Sequence, residues 1–301
     1  MKIGVMTGTG SEGGMDAMLS RLREVEARGF HSAWMANIFG FDAICVLALA
    51  GRETQRIELG TAVVPSYPRH PVAIAQQALS AGAASGGRFT LGIGLSHKVV
   101  IEDMLGLSYA RPAAHMREYI AVLAPLLNGE PSRFEGEQYR VAAQLQTPGA
   151  AKVPLLIAAM GEHMLKLAGA HSAGTILWMT GPATIESHIA PRLREAARGA
   201  GRPEPRIVAG LPIVLTNNPG AAREWAARHL AMYGRLPSYR AMLDREGAGG
   251  PEDLVIAGGE SELNAALDRL REVGVTDFNA SIVPVDAEAE ARTLDYLQSQ
   301  L

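Results

Sequence analysis

Short apolar runs alternate with amphipathic segments along almost the whole chain. Eight of these runs are rich in β-branched and aliphatic residues and are short enough to be buried strands. They cover Lys2–Met6, Ser32–Met35, Ile57–Val64, Phe89–Gly94, Pro154–Ala158, Gly174–Met179, Arg206–Leu215 and Asp277–Ile282. Segments with a helical spacing of apolar residues follow the strands. They include Met15–Arg28, Ala43–Arg52, Pro112–Leu127, Glu162–Ala170, Pro182–Arg198, Ser238–Glu246, Ser261–Val273 and Glu288–Gln298.

Eight strands with helices between them predict an α/β fold, a (β/α)8 TIM barrel, with an open doubly wound sheet as the alternative. The length of 301 residues fits a single domain over residues 1–301, since no linker or change in composition divides the chain. One excursion, Leu95–Val153, is predicted to be an elaborated loop after the fourth strand, containing one helix and a hairpin over Arg133–Val141. Gly8 and Gly10 are predicted to open the loop after the first strand.

Composition argues against several classes of partner. The net charge is −3 and no basic block is present, so nucleic acid is not expected to bind. No apolar run approaches the roughly 20 residues of a membrane span. The MKIGVM start lacks the plan of a signal peptide, and we therefore expect a cytoplasmic protein. The lone Cys45 leaves no internal disulfide, and its apolar surroundings predict a buried core residue.

The segment Ile57–Gln77 contains the densest set of candidate site residues. The third strand ends in three small residues, Gly60–Ala62, which would let a flat ligand approach the backbone. Arg69 and His70 follow at the start of a helix. Catalytic groups of α/β barrels gather just after the strands, so His70 is a candidate to face the ligand. An alternative role for His70 is to cap its helix or to hydrogen-bond the loop.

A second candidate lies after the fourth strand, in the GIGLSHK phrase of Gly92–Lys98. Its glycines would either let a ligand pack on the backbone or accommodate a tight neighbour inside the barrel. Ser96, His97 and Lys98 could donate hydrogen bonds to phosphate or ring oxygens. The full dinucleotide-binding fingerprint is absent, so a nicotinamide-binding fold is not predicted.

Two further strand ends could contribute to a binding site. Ala158–His163 opens the fifth helix, where free N–H groups and the helix dipole favour an anion. The alternative there is a plain turn with a capped helix. Trp178 precedes Met179–Pro182 after the sixth strand. It is predicted to pack in the core or at the rim, with a cofactor wall as the alternative.

Other kinds of chemistry have little support in the sequence. The eight histidines lack the carboxylate spacing of metal sites, so no metal is predicted. No Ser-His-Asp arrangement can be justified, and the G-x-S-x-G elbow is absent. Loop positions lack the paired carboxylates that glycoside hydrolysis requires.

Several phrases resemble the bacterial-luciferase-like oxidoreductases, and they look most like the branch that uses coenzyme F420, an 8-hydroxy-5-deazaflavin. The phrases cover most of the chain and include SAWMANIFGFDAICVLALAG, GTAVVPSYPRHP, RFTLGIGLSHK, RFEGEQYRV, AAMGEHMLKLAG and GVTDFNASIV. The resemblance implies a barrel enzyme, expected as a homodimer, that transfers hydride between F420 and a small organic substrate. It leaves two alternatives, an FMN-dependent monooxygenase and a non-catalytic flavin-binding relative.

The resemblance also implies the residues of a cofactor site. It places a cis peptide bond at Ala62–Val63, under one face of the ring, and the phosphate or tail at the start of the fifth helix. The cofactor-binding residues that it implies are Thr61, Ala62, Val63, Gly92, Gly94, Ser96, His97, Met160, Gly161, Glu162, Met179 and Thr180. Glu162 departs from an ideal anion site, because its carboxylate would repel phosphate unless it is turned away.

The loop after the second strand departs from the family. Many members have an Asp-His pair there that serves as acid or base, whereas this chain has Asn37 and Ile38. Asn37 can form hydrogen bonds but cannot titrate. The catalytic candidates are therefore His70, His97 and Asn37, and any titrating acid or base is expected to be one of the two histidines.

Overall fold

A computed structural model describes residues 1–8 and 13–301 of the chain. The barrel strands are β1 Lys2–Met6, β2 Ser32–Met35, β3 Glu58–Thr61, β4 Phe89–Gly94, β5 Leu155–Ile157, β6 Gly174–Trp178, β7 Arg206–Leu215 and β8 Asp277–Ile282. They pair in parallel in chain order, and β8 pairs with β1 to close the sheet. The predicted (β/α)8 barrel is confirmed. Gly10, predicted in the loop after β1, lies outside the described residues.

Helices surround the barrel. They are α1 Gly14–Ala27, α2 Ala43–Glu53, α3 Pro71–Ala84, α4 Pro112–Leu127, α5 Glu162–His171, α6 Pro182–Thr184, α7 Ala190–Gly199, α8 Pro219–His229, α9 Ala231–Arg235, α10 Pro237–Glu246, α11 Glu260–Glu272 and α12 Ala289–Gln298. Asp42 begins α2 by accepting a hydrogen bond from the Cys45 N–H at 2.9 Å, as N-cap residues do. A π-helical turn, Ile185–Ile189, separates α6 from α7 within the single helix predicted there.

The excursion after β4 begins with a π-helix, Val99–Met104, that the sequence did not predict. It continues through α4 into an antiparallel hairpin of Ser132–Glu135 and Arg140–Ala143, which confirms the predicted hairpin. The buried carboxylate of Glu118 on α4 accepts hydrogen bonds from the hairpin turn, at 2.8 Å from the Gln138 N–H. This bond fastens the hairpin to α4.

Trp34 on β2 fills the middle of the barrel. Its ring is fully buried, and its indole N–H donates to the Ser32 hydroxyl at 2.8 Å. A Cβ atom added at Gly60 would overlap this ring, and one added at Gly4 would overlap Ser32. The expectation that Gly60 makes room for a flat ligand is therefore wrong, because the space that it frees is occupied by Trp34.

A charged cluster lies at the amino-terminal end of the barrel. Arg206 at the start of β7 donates to Glu58 at 2.7 Å and to Asp277 at 2.6 Å. Thr90 donates to the same Glu58 carboxylate at 2.6 Å, and the guanidinium lies 5.9 Å from the centre of the Trp34 ring. The cluster closes the end of the barrel opposite the carboxyl ends of the strands.

Cys45 is exposed on the outer face of α2, so its predicted burial is wrong. The helix buries Ile44, Val46 and Leu47 toward the barrel, and this rotation turns Cys45 outward. Leu49, one turn further along, is 48% exposed on the same outward face. Among the described residues, no helix is long and apolar enough to cross a membrane.

Candidate active site at the mouth of the barrel

The carboxyl ends of the eight strands and the loops that follow them form the mouth of the barrel, where α/β barrels place their active sites. The peptide bond between Ala62 and Val63 is cis, which confirms the prediction made from the family resemblance. Both residues are partly exposed and pack on the inner barrel cluster that contains Trp34. They form the surface at the end of β3.

Gly92 and Gly94 are small because β3 lies tightly against β4. A Cβ atom at Gly92 would overlap the carbonyl oxygen of Thr61, and one at Gly94 would lie 2.7 Å from the Val63 side chain. The Thr61 hydroxyl donates to the Gly92 carbonyl and accepts from the Gly92 N–H, both at 2.8 Å. The tight-neighbour alternative is therefore confirmed. Thr61 is fully buried, so its side chain offers no surface to a cofactor. The role that the structure shows for it is to hold β3 against β4.

The loops after β2 and β3 are joined by the Arg69 guanidinium. It forms an ion pair with Asp42 and donates at 3.3 Å to the Asn37 carboxamide oxygen and to Gln77. The same Asn37 oxygen accepts from the Ala43 N–H at 3.0 Å. Asn37, a catalytic candidate, is thus engaged in shaping the start of α2.

His70 caps helix α3, the alternative that its position suggested. Its Nδ1 accepts from the Val72 N–H at 3.3 Å, and its ring meets Tyr139 edge-on at 5.6 Å. The imidazole as a whole is exposed. Its catalytic role stays a prediction, and the capping role has direct geometric support.

His97 lies in an aromatic arc along one side of the mouth. The centre of its ring lies 5.8 Å from that of Tyr239. The ring of Tyr233 lies 4.9 Å from Tyr239 and 6.1 Å from the ring of Trp178 at the end of β6. We call these four residues the aromatic arc. Burial lowers the pKa of His97, so the imidazole is neutral at neutral pH and can both donate and accept. Ser96, the preceding residue, has a positive φ of 61°. Its carbonyl oxygen accepts a hydrogen bond from the Tyr109 hydroxyl at 3.2 Å.

A second stack of rings supports the loops after β3 and β4. Tyr67 stacks on His115 at 3.9 Å and lies 5.2 Å from Tyr109. His115 hydrogen-bonds the Ser66 hydroxyl at 3.0 Å and Gln138 at 3.1 Å. The side chains therefore tie α4 and its hairpin to the mouth. None of these rings, and neither Tyr233 nor Tyr239, was predicted from the sequence to belong to the site.

Acid is expected to destabilise the protein through His115. Burial lowers its pKa, and it outweighs the hydrogen bond to Gln138, which acts in the opposite direction. The unfolded chain therefore binds a proton more readily, so this contribution to stability is present above about pH 6.5 and is lost as the pH falls below it. Urea unfolding at pH 7.5 and 5.5 measures the loss, and His115→Gln should show a smaller one. An equal loss in the variant would contradict this assignment.

The start of α5 is open to an anion. A Cβ atom at Gly161 would meet no heavy atom within 4 Å. The Glu162 carboxylate pairs with Arg192 at 3.2 Å, so it is drawn to one side of the helix start. His188 hydrogen-bonds the Met160 carbonyl at 2.7 Å and fixes the turn from below. A phosphate could bind at this turn only if the Glu162 carboxylate were turned away, and the ion pair with Arg192 provides this.

Met179 and Thr180 are each only 1% exposed, so neither offers a side-chain surface to a cofactor. The Met179 N–H donates to the Gly210 carbonyl at 3.1 Å. At the next turn, the Glu246 carboxylate accepts from the Thr184 N–H at 2.7 Å and occupies the start of α6. The observed role of Met179 and Thr180 is to shape the turn after Trp178, and their predicted contact with a cofactor stays a prediction.

The described residues contain no group of three or more His, Cys, Asp or Glu side chains that could hold a metal. A cavity of about 560 Å³ lies on the flank of the barrel, between Glu246 and α11. Another of about 490 Å³ lies beside Asn128 and Lys152. Both are away from the strand ends at Ala62–Val63, so the site is assigned from the barrel geometry.

Comparison with known proteins identifies the family. Residues 1–276 match the profile of the luciferase-like monooxygenases, and the chain belongs to this family. It is 28% identical over 240 residues to an uncharacterised protein of Mycobacterium tuberculosis, with 75% of this chain and 70% of that protein covered. It is also 28% identical over 224 residues to the 5,10-methylenetetrahydromethanopterin reductase of Methanolobus tindarius, covering 74% of this chain and 68% of the reductase.

Solved structures show the same fold. The coenzyme F420-dependent tetrahydromethanopterin reductase of Methanopyrus kandleri superposes with a TM-score of 0.82 at 22% identity, covering 100% of this chain and 98% of that one. An FMN complex of a type II Baeyer–Villiger monooxygenase of Pseudomonas putida gives 0.76 at 16% identity, covering 99% and 96%. The chain is an oxidoreductase of this family, whose members use F420 or FMN.

Proposed function

We propose that the protein is a coenzyme F420-dependent oxidoreductase that transfers hydride between the deazaflavin and a small organic substrate. The observation that carries the proposal is the partly exposed surface of Ala62 and Val63 beside the open start of α5. One feature would take a flat ring and the other an anionic tail. The reductase of Methanopyrus kandleri supports F420 over FMN, because it is both a sequence relative of this chain and an F420-dependent enzyme.

Each part of the mouth has a distinct task in this proposal. Ala62 and Val63 support one face of the ring, and the substrate approaches the other face. Gly161 lets a phosphate approach the N–H groups of α5 while Arg192 holds Glu162 aside. The bound deazaflavin supplies the hydride chemistry, so the protein mainly contributes positioning. His97, neutral and next to Tyr239, is the candidate for holding a proton near the ring.

Fluorescence titration of the purified protein with F420 and with FMN tests the cofactor. Binding of F420 together with weak or absent FMN binding supports the proposal. FMN binding without F420 binding would favour the FMN-dependent monooxygenase instead. Tight binding of either cofactor without turnover on any screened substrate would favour a non-catalytic flavin-binding protein.

Gly161→Asp is expected to weaken F420 binding about tenfold or more, because it places a carboxylate where the helix start attracts an anion. The control is Gly161→Ala, since the structure leaves space for a Cβ atom there. Titration of both variants measures the dissociation constants, and circular dichroism checks the fold. If a folded Gly161→Asp variant bound F420 with parental affinity, the phosphate of the cofactor would not bind at this turn.

We propose that the protein forms a homodimer through the outer face of α2. Cys45 and the 48% exposed Leu49 form a small apolar patch on this face, and the exposed Arg52 follows it at the end of the helix. A dimer would cover these side chains, and Leu49→Glu should shift the mass in light scattering toward the monomer. A dimer that the substitution leaves intact would place the interface elsewhere.

A further inference from the structure

We infer that the substrate is an uncharged, largely apolar molecule, bound by an apolar rim around the mouth. The inference rests on the proposed function and names its substrate class. Nine large apolar side chains are exposed among the described residues, and seven of them lie in the loop after β2, in the segment 99–107 after β4 or on α9 after β7. These seven, the apolar rim, are Ile38, Phe39, Val99, Met104, Leu105, Leu107 and Met232.

The exposure of the rim is large for single side chains. Phe39 is 65% exposed, Met104 57%, Ile38 56% and Met232 53%. Exposed apolar side chains are ordinary when scattered, but a concentration at one end of a molecule marks a binding surface. Here that end is also the end where the barrel places its chemistry.

The rim is continuous with the aromatic interior of the mouth. Met232 is next to Tyr233 of the aromatic arc, and His97 of that arc immediately precedes the helical turn that presents Val99 and Met104. Ile101 in the same turn is fully buried and anchors it. A ligand that enters past the rim therefore meets apolar and aromatic surface from the outside inward.

Charges beside the rim are largely neutralised in pairs. Asp42 and Arg69 pair between the loops after β2 and β3, and Lys98 lies 3.5 Å from Glu102. Asp103 in the rim segment and Arg235 on α9 are exposed, and the described residues give neither of them an ion pair. A cationic substrate attracted by Asp103 and an anionic substrate attracted by Arg235 are therefore the alternatives that the experiment must distinguish. The paired charges and the neutral His97 favour an uncharged substrate.

The experiment is a displacement assay on the intact protein without cofactor or turnover. N-phenyl-1-naphthylamine, an uncharged apolar fluorophore, is bound first and displaced by straight-chain alcohols from butanol to decanol. Burying one methylene is worth about 0.8 kcal/mol, so affinity should rise about threefold to fourfold per added methylene. Octanoate should bind at least about tenfold more weakly than octanol. No dependence on chain length, or tighter binding of octylamine than of octanol, would overturn the inference.

Variants assign the binding to the rim. Phe39→Ser and Met104→Ser should each weaken probe and octanol binding about fivefold to tenfold, because each removes apolar surface from the contact. The matched control is Leu301→Ser, which removes a 43% exposed leucine at the end of the chain and should bind as the parent does. Unchanged binding in both rim variants, or a loss of self-association in them, would overturn the inference.

The assay separates this inference from the proposed function. A protein that binds FMN alone would disprove F420 dependence while the dependence on alcohol length remained intact. A protein that binds F420 but neither the probe nor the alcohols would keep its cofactor and refute the apolar substrate.

Discussion

Arg206→Met is expected to lower the free energy of unfolding by about 3–5 kcal/mol, because it leaves the buried carboxylate of Asp277 and the half-buried carboxylate of Glu58 without a counter-ion. Asp277 is only 3% exposed and Glu58 19%. Burial acts to lower the pKa of Arg206, but its bonds to Asp277 and Glu58 outweigh burial and raise that pKa. The guanidinium therefore stays charged, and both carboxylates depend on it. Urea unfolding followed by circular dichroism measures the difference.

A triple variant separates lost packing from unpaired charge. Arg206→Met combined with Glu58→Gln and Asp277→Asn removes all three charges, and it should recover much of the lost stability. If the single and triple variants were equally unstable, the loss would come from packing and not from charge.

Local signals in the sequence mark the starts of several helices. Asp42 before α2 and Asn218 before α8 both accept a hydrogen bond from the N–H three residues later, as capping residues do. Pro71 occupies the first turn of α3, where its missing N–H has no consequence. Such signals lie within a few residues of the boundary that they set, so one sequence is enough to find them.

Contacts between distant segments could not be predicted in this way. Tyr67 and His115 stack although 48 positions separate them in the sequence. Tyr239 contacts His97 although it lies still further away along the chain. Cys45 was misplaced because an apolar run alone does not specify which face of the helix is turned to the core. The location of the candidate site at the strand ends stays a prediction, and many of the side chains around it emerged only from the structure.

Gly92 is a glycine whose small size the packing of the barrel requires. The sequence offered two roles for it, a ligand platform or a tight fit, and the close approach of β3 supports the second. We therefore expect Gly92→Ala to destabilise the protein by about 1–3 kcal/mol, the usual cost of overpacking, or more. The obstructing atom is the Thr61 carbonyl oxygen, which belongs to the backbone and cannot rotate away.

The same substitution should also weaken cofactor binding, because separating β3 from β4 displaces Ala62 and Val63 at the mouth. Gly161→Ala is the matched control, since its added Cβ atom meets nothing within 4 Å and both stability and affinity should stay parental. Thermal unfolding gives the melting temperature of each variant, and F420 titration gives its dissociation constant. A destabilised Gly92→Ala that binds F420 with parental affinity would show that the end of β3 does not support the ring. Parental stability in that variant would contradict the tight contact between the two strands.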